Sequence, residues 1–78
     1  MKAYKLETDH YACGYFKTKE ALARYVSAND DLKDYFESYE EYRDIVERYF
    51  NEEISWNEYT NLLDDNYIYV EEIEIIED

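Results

Sequence analysis

His10 and Cys13 are the one pair with nucleophile and base character in a 78-residue chain that holds a single histidine and a single cysteine. An imidazole activates a thiol only across a hydrogen bond. Residues three apart in an extended segment point to opposite faces, so the sequence predicts no catalytic site at this pair and no enzyme activity. Carboxylate pairs for acid–base chemistry abound. With 21 acidic residues, however, any two must lie near each other, and proximity carries no chemical information. Asp30-Asp31 and Asp64-Asp65-Asn66 are oxygen-rich enough to attract a divalent cation weakly. The second of these breaks the calcium-loop pattern at Ile68, where a third ligand belongs, and lacks the turn glycine. No dedicated metal site is expected. Gly14 stands alone, so there is no glycine-rich phosphate loop either, and no cofactor is expected.

The acids with a pattern are Asp30, Asp34, Glu37, Glu41 and Asp44, at steps of four and three, with Glu40 and Glu47 widening the row. That spacing stacks the carboxylates along one helical face, roughly 5 Å apart along the axis. Phosphates of a DNA strand recur on a comparable scale, about 3.4 Å of rise each. Like charges so placed cost a helix ~0.2 to 0.5 kcal/mol per pair, and pairs such as Asp44 with Arg48 and Asp30 with Lys33 are spaced to offset part of it. These seven residues are the candidate partner-binding site. Their structural alternative is a solvated helix face.

The whole-chain charge favours the binding alternative. A net of −13 exceeds the magnitude of about 2 to 8 that suffices for solubility in a small domain, and it is unevenly spread. Residues 1 to 28 carry Lys2, Lys5, Lys17, Lys19 and Arg24 against Glu7, Asp9 and Glu20, a net of +2. Residues 29 to 78 carry Lys33, Arg43 and Arg48 against 18 carboxylates, a net of −15. Such a field repels nucleic acid and anionic membranes and accelerates encounter with a basic protein. No direct nucleic-acid or membrane binding is expected.

One small domain is all the length allows. Eleven tyrosines and three phenylalanines make the chain too aromatic for a disordered acidic tail. A single cysteine forms no internal disulfide, which favours the reducing cytoplasm. Charges at Lys5, Glu7 and Asp9 interrupt any signal-peptide core, and no segment approaches the ~20 apolar residues of a membrane span. Absence of proline, of low-complexity linkers and of repeats leaves no natural place to divide the chain.

The elements that would position the acidic row follow from periodicity. Lys2 to Thr8, with Tyr4 and Leu6 on one face, and Tyr11 to Phe16 predict a β-hairpin in which Gly14 marks a bulge or a close approach. Thr18 is a credible N-cap for a helix to about Ser27 carrying Ala21, Leu22, Tyr25 and Val26. Beyond Asn29 and Asp30, the residues Leu32, Phe36, Tyr39, Val46 and Phe50 line one helical stripe, and Tyr35, Tyr42 and Tyr49 form a neighbouring row. Ser38-Tyr39-Glu40-Glu41 fits a capping box and divides this run into helices of about 31 to 37 and 39 to 51. A second box, Ser55-Trp56-Asn57-Glu58, opens a helix with Tyr59, Leu62 and Leu63 that ends at Asp64, Asp65 and Asn66. Residues 67 to 76 read as a strand, with either a bulge near Glu71 and Glu72 or apolar residues on both faces. The expected fold is α+β, a ββαααβ domain with an antiparallel sheet of about three strands covered by helices.

Small size, extreme acidity, abundant tyrosine, the lack of catalytic groups and carboxylates in helical rows together resemble phage-encoded DNA-mimic proteins. The resemblance is one of style across residues 29 to 78, without a shared motif, and the richness in Lys, Glu, Ile and Tyr looks like a gene of a low-GC host or its phage. It implies an inhibitor, active in host takeover, that occupies the DNA-binding surface of a basic host protein, with a histone-like nucleoid protein of the HU type as the first expectation. The rival expectation is a non-catalytic adaptor that recognises a partner by an aromatic patch or by the exposed edge of the terminal strand. Salt separates the two, since only the electrostatic mode weakens steeply with ionic strength. The sequence leaves open whether the chain forms a homodimer.

Overall fold

A computed structural model describes residues 1–76. Strand β1 (Lys2–Thr8) pairs on one side with β2 (Ala12–Phe16) and on the other with β3 (Ile68–Glu74), so the sheet order is β2-β1-β3, antiparallel throughout. The alternation of β1 places Tyr4, Leu6 and Thr8 on the buried face, and the terminal strand returns to the hairpin as expected. Leu6 faces Gly14 while Glu7 faces Ala12, which makes Cys13 the extra residue of a bulge. Gly14 follows it at φ 142°, a conformation that residues with a Cβ rarely adopt.

The β3 register against β1 runs without interruption, from Lys2 opposite Glu74 to Thr8 opposite Ile68. No bulge forms at Glu71 and Glu72. The slipped alternation reflects apolar residues on both faces instead. Ile68 and Val70 lie opposite Thr8 and Leu6, toward the core, whereas Tyr69 and Ile73 lie opposite Glu7 and Ala3 on the face that carries exposed Tyr15. The strand is also shorter than 67 to 76. Tyr67, at φ 64°, is the left-handed residue that closes the preceding helix, and Ile76 is 88% exposed.

Between β2 and β3 the chain forms helices α1 (Lys19–Ala28), α2 (Tyr39–Phe50) and α3 (Trp56–Asp65), with a 3-10 helix, Asp30–Tyr35, between the first two. Thr18 caps α1 by accepting from the Ala21 N–H at 3.0 Å. At α3 the capping box is complete: Ser55 Oγ accepts from Glu58 N–H at 3.2 Å and Glu58 Oε1 accepts from Ser55 N–H at 3.3 Å. At α2 only half forms. Ser38 Oγ accepts from Glu41 N–H at 3.1 Å, but the Glu41 carboxylate does not return to the Ser38 backbone. Helix α2 ends in a Schellman motif, with Glu53 N–H donating to Arg48 C=O at 2.8 Å and Glu52 N–H to Tyr49 C=O at 3.0 Å. Its left-handed position, usually glycine, is Glu52 at φ 61°.

The helices cover one face of the sheet. Their shared core joins Tyr4, Leu6 and Ile68 of the sheet to Leu22, Ala23 and Val26 of α1, Tyr42, Ile45 and Val46 of α2, and Tyr59 and Leu63 of α3, with Leu32, Phe36 and Ile54 from the connections. The stripe predicted from Leu32 to Phe50 is divided by the break before α2: Leu32, Phe36 and Val46 are buried, whereas Tyr39 and Phe50 are exposed. An aromatic cluster extends the core, with Tyr49 stacked on Tyr59 at 4.4 Å and Trp56 edge-on to Tyr4 at 5.7 Å. The hydroxyl of Tyr59 is buried without a hydrogen-bond partner among the described residues, and burial pushes its ionisation well above the ordinary 10.0.

Candidate functional site

The acidic row was expected on regular helix, and only part of it lies there. Residues 30 to 35 wind as a 3-10 helix because the segment is short and bounded by extended backbone at Asn29 (φ −104°, ψ 91°) and Phe36 (φ −100°, ψ 162°). So short a piece forms few i→i−4 bonds against the cost of helix nucleation, and 3-10 geometry is common in such pieces. With three residues per turn, Asp34 eclipses Asp31 rather than Asp30. Glu37 lies beyond the 3-10 helix, in the connection to α2. Asp30, Asp34 and Glu37 are exposed, and they lie off α2, on the 3-10 helix and in the connection after it.

Four of the seven candidates, Glu40, Glu41, Asp44 and Glu47, lie on α2. Glu40, Asp44 and Glu47, at steps of four and three, are exposed and share one face, with axial separations of about 6 and 4.5 Å. Glu41 is half-buried on the flank. The seven candidate residues therefore form two groups, a trio on a rigid helix and a looser set on the segment before it.

The basic residues of α2 are turned to structural tasks. Arg43 Nη1 donates to the Ser27 carbonyl at 3.1 Å, and the Tyr42 hydroxyl donates to the Val26 carbonyl and lies 3.4 Å from the Asn29 carbonyl. Together they engage carbonyls in the last turn and at the C-cap of α1, where a cation also meets the negative end of the helix dipole. Arg48 lies 3.8 Å from Asp44, an exposed pair of small energetic value. Among the described residues Glu40 and Glu47 have no ion-pair partner, and the spacing of Asp30 and Lys33 does not yield a pair.

A second acidic concentration was not legible in the sequence. Glu20 of α1, Glu52 and Glu53 of the α2–α3 connection, and Glu58 of α3 line a groove with Phe50, which is 47% exposed, as an apolar wall, and with Arg24, which lies 3.5 Å from Glu20. Their separation along the chain hides the grouping. The only local signal was the pair Glu52-Glu53 directly after a helix end.

His10 and Cys13 are placed apart in role. The His10 ring lies against Tyr35 at 5.9 Å, in the turn that Thr8 organises by accepting from the N–H groups of His10 and Tyr11, each at 3.2 Å. Cys13 sits half-buried in β2, where burial pushes its thiol up and so away from the reactive thiolate, against hydrogen bonds to Tyr25 and Tyr11 that act the other way. No group of three or more metal-ligating side chains occurs among the described residues, and no helix there is long and apolar enough to cross a membrane. Comparison with family models, curated protein sequences and solved structures returned no match.

Proposed function

We propose that this protein is a non-catalytic inhibitor that imitates the charge of DNA and occupies the cationic surface of a basic DNA-binding protein, of which an HU-type nucleoid protein is the first candidate. The observation that carries this reading is the exposed face of α2. Glu40, Asp44 and Glu47 stand on it at near-phosphate spacing, while Arg43 is engaged internally and Arg48 offsets Asp44 alone. A rigid helix presents these charges without the ordering cost that a flexible acidic tail incurs on binding. The acidic groove beside Phe50 adds carboxylates from three further chain segments and an aromatic ring on which an arginine could stack.

Displacement of duplex DNA from an HU-type protein tests the proposal. The unaltered protein is expected to compete, with an apparent affinity that falls steeply as salt rises. Glu40→Gln, Asp44→Asn and Glu47→Gln in combination should weaken competition severely and flatten the salt dependence. The same number of changes at Asp30, Asp34 and Glu37 should weaken it less, because those charges are not held on one rigid face. Undiminished competition by the α2 triple variant would defeat the reading.

A further inference from the structure

Strand β3 leaves one edge of the sheet open, and its register fixes which backbone groups are free there. The Ile75 N–H donates to Met1 C=O at 2.7 Å, continuing the pairing in which Ile73, Glu71 and Tyr69 face Ala3, Lys5 and Glu7. In an antiparallel ladder hydrogen-bonded pairs alternate with non-bonded ones. The odd-numbered residues of β3 therefore direct their N–H and C=O groups toward β1. Val70, Glu72 and Glu74 direct theirs outward, where no further strand of the described residues pairs.

We propose that this edge accepts an extended, cationic segment of a partner protein as a fourth strand. Main-chain hydrogen bonds to Val70, Glu72 and Glu74 would supply the pairing, as in other strand-addition complexes. The side chains choose the occupant. Glu71, Glu72 and Glu74 are all exposed, and among the described residues Glu72 alone of the three has an ion-pair partner, Lys2 at 3.1 Å, while Lys5 is directed to Glu7 at 3.5 Å. A second copy of this chain pairing antiparallel through β3 would, in a register centred on Glu72, set that glutamate against its own equivalent, an unfavourable cross-strand arrangement. A strand bearing Lys or Arg opposite these positions and an apolar residue opposite Ile73 relieves the repulsion instead. The same charges that protect the edge from self-association thus select a basic partner. This surface is separate from the α2 face, and it uses the backbone as well as the charge.

The test uses the full chain and the blocked peptide Thr-Lys-Val-Lys-Lys-Val-Thr, in three forms: unmodified, N-methylated at alternate backbone nitrogens, and with glutamate in place of lysine. Amide exchange resolved by NMR reads the site. The unmodified peptide should slow exchange at Val70, Glu72 and Glu74 by roughly tenfold or more at saturation, and the other two forms should not. Glu71→Lys with Glu74→Lys, both at exposed positions, should reverse the preference toward the glutamate peptide. Equal binding of the N-methylated form would overturn the proposal, because charge alone would then suffice. So would protection confined to the amides of α2, which would favour the helical face, or protection of the same β3 amides by dimerisation of the protein alone. Absence of binding at millimolar peptide would overturn it as well, and would leave the DNA-displacement experiment unaffected.

Discussion

Residues 30 to 37 and 39 to 50 are alike in composition, each dense in acids and aromatic residues, yet they have become different structures. The first winds as a 3-10 helix whose Tyr35 hydroxyl donates to Thr8 Oγ1 at 2.9 Å, tying the segment to the turn of the β1–β2 hairpin. The second is a full α-helix whose Tyr42 reaches into the end of α1. A charge spacing in the sequence becomes a charge geometry only where the backbone is regular. The difference assigns the two segments separate tasks, strap and platform.

If the 3-10 segment is a strap rather than a passive connection, its one fully buried side chain must anchor it. Leu32→Ala is expected to cost about 2 to 5 kcal/mol in chemical denaturation, as for a leucine removed from a close-packed core. A cost under about 1 kcal/mol would show that the segment is dispensable and dissolve the contrast. Next in size is the pair of hydroxyls. Tyr42→Phe takes the hydroxyl donor from the buried Val26 carbonyl in the last turn of α1 and should cost about 1 to 3 kcal/mol, whereas Tyr35→Phe, at a partly buried site, should cost roughly 0.5 to 1.5. Equal losses in thermal unfolding would place strap and platform on the same footing. The smallest effect concerns the α2 cap. Ser38→Ala should lose about 1 kcal/mol, while Glu41→Gln, whose carboxylate takes no part in the cap, should stay within about 0.5 kcal/mol. A larger loss at Glu41 would mean that the full capping box forms in solution.

Local chemistry made most of the fold legible. Thr18, Ser38 and Ser55 mark the three α-helix starts because capping is settled by one side chain and the next turn of backbone. The terminal strand was legible from its β-branched and aromatic residues, and the single glycine pointed to the bulge beside it. What could not be read depends on tertiary context. The 3-10 winding of residues 30 to 35 follows from what surrounds the segment, and the left-handed positions of Glu52 and Tyr67 break the rule that glycine ends helices. Of the candidate residues, Glu40, Glu41, Asp44 and Glu47 lie on α2, where Glu41, expected in the row, is half-buried on its flank. Asp30, Asp34 and Glu37 were assigned to its face by a period that holds only on an unbroken α-helix.

The unpaired hydroxyl of Tyr59 gives this acidic molecule a weakness at alkaline pH. Its folded-state ionisation lies above the ordinary 10.0, while in the unfolded chain it returns to that value. Below pH 10 both states hold the proton and stability is unaffected by it. Above pH 10 the unfolded chain releases a proton that the folded chain retains, so stability falls by up to about 1.4 kcal/mol per pH unit for this one group. Tyr59→Phe should therefore shift the alkaline unfolding transition, followed by circular dichroism, to higher pH, while leaving stability at neutral pH equal or improved. An unchanged transition would mean that the hydroxyl ionises as readily in the folded protein as in the open chain.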